Sequence, residues 1–207
     1  SSNSLLKIAA AYDPVLETSQ VILPAEREQI EYAVAFARAY EADDDEALIS
    51  AHSAIQNSMY CTSFVFTAYE QQRIASAERR LVALDLFRKA LNEKYADRII
   101  SSYNTILDEC INVTQEERFQ LKLAHQLRQA CNTGDEKVLY EIWEALQKQS
   151  IFILTDEEQR CLELANQRHQ ALITFLKALK DYPRDAEGLL AAYNATLLDN
   201  SGLITAE

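Results

Sequence analysis

ILTDEEQRCLELANQRHQALITFLKAL, Ile153 to Leu179, carries the same pattern as VFTAYEQQRIASAERRLVALDLFRKAL, Val65 to Leu91, at a constant offset of 88. Ten of the identical positions are Thr67/Thr155, Glu70/Glu158, Gln71/Gln159, Ala77/Ala165, Arg80/Arg168, Leu84/Leu172, Phe87/Phe175, Lys89/Lys177, Ala90/Ala178 and Leu91/Leu179. Both strings open on an apolar residue followed by Thr-x-x-Glu. The Thr oxygen accepts from an unpaired backbone N–H at a helix start and the Glu three residues on bonds back, a pairing that contributes about 1 kcal/mol. Behind it, Ile74 with Ala77 and Leu162 with Ala165 share a helical face, and the alanines permit close approach of a neighbouring helix. Each string therefore predicts a long helix, here called helix B.

The same start recurs in ILPAE (Ile22 to Glu26), NVTQEE (Asn112 to Glu117) and LITAE (Leu203 to Glu207). Thr114 with Glu117 makes a third complete capping box, and in the first copy Pro24 takes the first helical position, where a missing N–H is harmless. A second type of segment precedes each start: IAAAYDPVL (Ile8 to Leu16), LISAHSAIQ (Leu48 to Gln56), IISSYNTIL (Ile99 to Leu107), LYEIWEALQ (Leu139 to Gln147) and LLAAYNATL (Leu189 to Leu197). An aliphatic residue, a ring four later and an apolar residue three beyond it predict a shorter helix A. The first and third copies match at an offset of 91, through Ile8/Ile99, Tyr12/Tyr103, Leu16/Leu107, Glu26/Glu117, Arg27/Arg118 and Ala33/Ala124. Helix B runs about two turns further in the second and fourth copies, so short and long hairpins alternate.

The expected fold is all-α: about nine helices in a helical-hairpin repeat, an α-solenoid with a super-repeat of about 90 residues. A single array is expected over residues 1–207, with units near 1–42, 43–95, 96–134, 135–183 and 184–207. The closing string GLITAE (Gly202 to Glu207) stops inside a cap motif, which predicts a fragment of a longer array.

Composition agrees. Among 207 residues there are only three Gly and three Pro, too few turn formers for a sheet protein. A formal charge of -12 with no basic stripe argues against a nucleic-acid partner. The acidic run EADDDEA (Glu41 to Ala47) reads as a solvated corner between helices, in preference to a docking patch for a basic partner. Cys61, Cys110, Cys131 and Cys161 are widely spaced with no CxxC pair, which suits buried thiols in a reducing compartment. No apolar run of membrane-spanning length and no signal-peptide pattern occurs, so no membrane association and a cytoplasmic location are expected.

Chemistry-bearing motifs are sparse. His52, His125 and His169 stand in no metal spacing, and no phosphate-binding glycine loop, nucleophile elbow or Cys–His dyad is present. The expectation is a protein without catalytic residues, metal or cofactor. Arg80 and Arg168 lie close to an apolar face, each three residues after an alanine. They read either as arginines whose stems pack on the seam while their heads pair with an acidic residue of the next hairpin, or as a guanidinium row for a carboxylate or phosphate. The rings Tyr12, His52, Tyr103, Trp143 and Tyr193 read as core between repeats or as a peptide-binding ladder. Arg80, Arg168, Tyr103, Trp143 and Tyr193 are thus the candidate partner-binding residues. MYCTSFVF (Met59 to Phe66) reads as a loop tucked under its hairpin, with Phe64 and Phe66 as plugs like Phe152 and Leu154, and it holds the three-residue surplus separating offsets of 91 and 88.

Hairpin plan and unit length resemble the α-solenoid families, such as tetratricopeptide and HEAT repeats, without the Trp, Leu, Gly, Tyr and Pro signature of the former or the Pro and Asp-Val/Arg pattern of the latter. The segments from AYDPVL to ELANQRHQALITFLKAL are also similar to helical repeats of large multidomain bacterial proteins. That resemblance implies an interaction or spacer module with protein partners and flanking repeats or domains, and assigns no functional residues. The alternative is a regulatory region that holds a small ligand between hairpins and controls an attached catalytic domain; a stand-alone helical enzyme ranks last.

Overall fold

The computed structural model describes residues 5–11, 22–62, 64–148, 151–181 and 186–193. Among the described residues there are nine α-helices and no strand: α1 Leu5–Ala10, α2 Pro24–Glu41, α3 Asp45–Asn57, α4 Ala68–Glu93, α5 Ala96–Ser102, α6 Gln115–Thr133, α7 Glu136–Lys148, α8 Asp156–Asp181 and α9 Ala186–Tyr193. None of the described helices is long and apolar enough to cross a membrane.

Every described helix B begins where its cap places it. The backbone N–H of Thr67, Thr114 and Thr155 donates to Glu70, Glu117 and Glu158 at 2.6, 2.7 and 2.7 Å. The return bonds, from the glutamate N–H to the threonine hydroxyl, measure 3.2, 3.1 and 3.3 Å. At α2, Pro24 is joined by half a box, because Glu26 accepts from the Leu23 N–H at 3.0 Å. The fifth start, at Thr205, lies outside the described residues. Replacing Thr155 with alanine is expected to cost about 1 kcal/mol in urea denaturation, while serine stays close to wild type; equal loss for both would show that the hydroxyl does not cap α8.

Alternation in length is present: α2 and α6 have 18 and 19 residues, α4 and α8 have 26 each. The corners into α3 and α7 are built alike. Asp43 (φ 56°) and Gly134 (φ 70°) take the left-handed conformation that ends the preceding helix. The next amides, of Asp44 and Asp135, then donate back to Ala39 and Ala130 at 3.1 and 3.2 Å. Asp44 and Asp135 cap the following helices through the amides of Ala47 and Val138. Gly134 meets the positive φ without the steric penalty that Asp43 carries.

Helix A differs from expectation in the third copy. Instead of continuing through Leu107, α5 stops at Ser102, because the Asn104 side chain accepts from the Ile106 N–H at 3.0 Å and turns the chain into a 3₁₀ turn at Thr105–Leu107. A short polar side chain that bonds its own backbone competes with helix at this point. Tyr103 consequently follows the helix rather than sitting on it. In the first copy α1 ends at Ala10, and Tyr12 to Leu16 lie outside the described residues.

The chain divides into two compact units, residues 1–90 with 102–118, and residues 91–101 with 119–207. In the first, α1 packs on α2 and α2 on α3, around a core that includes Leu5, Phe36, Leu48, Ile55, Ile74 and Ala77. Phe64 and Phe66 plug that core from the loop after α3, and the Phe66 ring meets Phe36 at 5.6 Å. In the second, α7 packs on α8 and α8 on α9, with Leu127, Leu139, Ile142, Phe152, Leu162 and Ala165 buried.

Candidate functional site

Asp45, inside the acidic run, is the first residue of α3, and only 1% of it is exposed. Its carboxylate accepts from Arg73 Nη1 at 2.6 Å, from Arg80 Nε at 2.5 Å and from Arg80 Nη2 at 2.7 Å. The Cys110 thiol approaches it at 3.6 Å. Burial is the strongest single influence on Asp45 and alone would raise its pKa; the bonds from Arg80 and Arg73 outweigh it and hold the carboxyl below the usual carboxylate range. Asn112 closes the end of α3, accepting from the Asp45 N–H at 3.2 Å and donating to Asp44 at 3.0 Å. That bond from Asn112 is the chief reason Asp44 is also lowered.

This arrangement corrects two readings. The acidic run is a corner, yet Asp45 within it is buried and ion-paired instead of solvated. Arg80 does pair with an acid, but the acid belongs to the helix A of its own hairpin rather than to the next one. Arg88 extends the network, donating to Glu117 at 2.7 Å, to Glu46 at 3.0 Å and to the Asn112 carbonyl at 2.9 Å. The Asp45 oxygens are saturated, so the cluster acts as a lock holding α3 to α4 and leaves no acceptor for a ligand.

The second hairpin repeats the lock in a weaker form. Glu136, first residue of α7, stands at the position of Asp45 by the offset of 91 and pairs with Arg168 Nη1. Cys161 replaces Arg73 at the offset of 88, so the second arginine is missing. Arg168 Nε is buried and finds no hydrogen-bond partner, unlike Arg80 Nε. Beside the pair opens a cleft of about 570 Å³ lined by Glu136, Lys137, Tyr140, Arg168, His169 and Leu172 among others. The His169 ring stacks on Tyr140 with centroids 3.6 Å apart, and Trp143 stacks on Tyr140 at 6.1 Å.

The predicted rings divide between these places. Tyr103 packs edge-on against Phe87 at 5.2 Å and donates its hydroxyl to Asp108 at 2.8 Å. His52 meets Phe66 edge-on at 5.0 Å, a core contact of the first unit. Among the rings described, Trp143 is the one that adjoins the cleft, through Tyr140. The Tyr193 backbone ends α9, and its side chain lies outside the described residues. Of the candidate partner-binding residues, Arg168 lines the cleft in the second unit and Trp143 adjoins its wall through Tyr140, whereas Arg80 and Tyr103 are occupied in the first.

The expectation of buried thiols holds in part. Cys61 and Cys110 are buried, while Cys131 and Cys161 are partly exposed. Burial and the neighbouring Cys161 push the Cys131 thiol up to about 12, which favours its protonated form. Among the described residues no group of three or more His, Cys, Asp or Glu is placed to hold a metal. Compared with known proteins, the chain matches no family model, no curated protein and no solved structure.

Proposed function

We propose that the chain is a stacked helical-hairpin array that holds a protein partner and carries out no chemistry itself, the exposed apolar face of α8 being the surface that meets the partner. Support for the array comes from one construction used twice: the same left-handed corner, the same capped start and the same acid–arginine lock in the α3–α4 and α7–α8 hairpins. Such hairpins bury their apolar faces only by stacking.

The observation that carries the partner reading is a difference between equivalent helices. Leu84 of α4 is 1% exposed, whereas its counterpart Leu172 of α8 is 42% exposed. Leu176 and Leu179 continue the same face at 54% and 40%. Where α4 carries Arg88, bonded to Glu117 and the Asn112 carbonyl, α8 carries Leu176. A contiguous apolar stripe on an otherwise acidic protein is the usual mark of an association surface. The excess of 32 acidic over 20 basic residues points to protein rather than nucleic acid as the partner.

A photo-crosslinking residue at position 176, used in the cell of origin, is expected to give one discrete protein adduct that disappears in a Leu172→Asp background. The same probe at Glu163, on the polar side, should give none. A smear of adducts, or equal labelling from both positions, sinks the proposal.

A further inference from the structure

We infer that the α7–α8 cleft is a binding site for a small carboxylate with an apolar body, recognised by Arg168 and Lys137. The cleft shares Leu172 with the partner-binding face, but the inference rests on a different observation, an acceptor missing from the second copy of the lock. In the α3–α4 hairpin both Nε and Nη2 of Arg80 are bound by one carboxylate, and a second arginine shares it. In the α7–α8 hairpin Arg168 is anchored through Nη1 alone, and its buried Nε–H has no acceptor. A buried donor without a partner is costly. A guanidinium held through Nη1 alone keeps its other amino group for a second carboxylate, and a charge-assisted bond there is strong.

Surroundings favour the same class of ligand. The cleft, about 570 Å³, has the size of sites that take small molecules. Ala165, Leu172 and the Tyr140–His169 stack give it apolar walls. Lys137 stands exposed at the rim, and no described carboxylate pairs with it. The cleft opens at the first turn of α7, where the helix dipole favours a negative charge. A cationic ligand fits less well, because His169 already lies against the Tyr140 face that would receive it. Two acids face the site, Glu136 and Glu141. Glu136 is neutralised by Arg168, which leaves Glu141 as the opposing charge and gives the test a sign.

Trp143 is the single tryptophan of the chain and touches the cleft through Tyr140, so its emission reports occupancy. Titrating the whole chain with sodium 3-phenylpropanoate is expected to give a saturable change in that emission below about 10 mM. The neutral isostere 3-phenylpropanamide should bind at least about tenfold more weakly, since it offers no charge to the guanidinium. Arg168→Gln should abolish the preference for the acid over the amide. Glu141→Gln, an exposed change that leaves the fold intact, should tighten the acid about two- to threefold and leave the amide unchanged. Equal affinity for acid and amide, no saturation by either, or an unchanged preference in Arg168→Gln would each overturn the inference.

Discussion

Replacing Asp45 with alanine is expected to remove about 3–5 kcal/mol from the stability of the first unit, since the loss leaves two arginine side chains, 14% and 23% exposed, facing each other with only the exposed Asp43 as counter-charge. Against a typical total of about 5–15 kcal/mol that is a large share. Exposed ion pairs contribute little, so the size of the effect follows from the burial of the carboxylate and not from the number of its bonds. Asp43 is the internal control. It also pairs with Arg73, at 2.5 Å, but its side chain is 59% exposed and its φ of 56° suits glycine. Asp43→Gly loses a surface pair and relieves a left-handed aspartate, and should change stability by less than about 1 kcal/mol.

The effect has a pH signature. Asp45 is held below the usual carboxylate range in the folded chain, so its contribution is fully present above the unfolded value of about 3.9. It is lost as pH falls through the lower folded value. The gap between wild type and Asp45→Asn, read from urea denaturation followed by far-ultraviolet circular dichroism, should therefore be constant near neutrality and close progressively below about pH 4. A gap that persists undiminished at pH 2 would show that the loss comes from altered packing and not from the charge.

This lock was the part of the molecule hardest to read from sequence. Three consecutive aspartates look like a solvated corner by composition, because composition does not say which of them the following helix turns inward. Asp43 ends a helix, Asp44 caps the next and Asp45 is buried: three adjacent identical residues with three different environments. One signal was within reach. Asp43, Asp44 and Asp45 align with Gly134, Asp135 and Glu136 at the offset of 91, and the glycine marks the first position of the run as a left-handed helix stop. An acid at each helix start and an arginine at each matching place in the following helix then suggest the pair.

Helix starts were legible because a capping box is local: its donors, acceptors and spacing lie within four residues. Where a helix stops depends on weaker local competition. The side-chain turn at Asn104 ended α5 five residues before the apolar period would have ended it. The ring at Tyr103, readable from sequence either as core or as a binding rung, packs on Phe87 from a turn. Whether the residue it covers is buried was not legible at all, because Phe87 and Phe175, or Leu84 and Leu172, are the same letters in the same pattern. Burial of a helix face is decided by what lies on it.

That last distinction supplies the second large effect. Leu84→Ala is expected to cost about 2–5 kcal/mol, the range for truncating a fully buried leucine and leaving a cavity. Leu172→Ala, at the equivalent place in a helix of the same length, should cost less than about 1 kcal/mol, because its side chain is already partly in water. The two substitutions share residue type, helix position and propensity change, so the difference between them isolates the covering of the face. On α4 the cover includes Tyr103, set against Phe87, and the bonds from Arg88 to Asn112 and Glu117. If Leu172→Ala proves as costly as Leu84→Ala in the isolated chain, the α8 face is closed in solution by the chain itself and has no room for a partner. If it is nearly silent alone but weakens the adduct trapped at position 176, the face is energetically idle until a partner arrives, as an association surface should be.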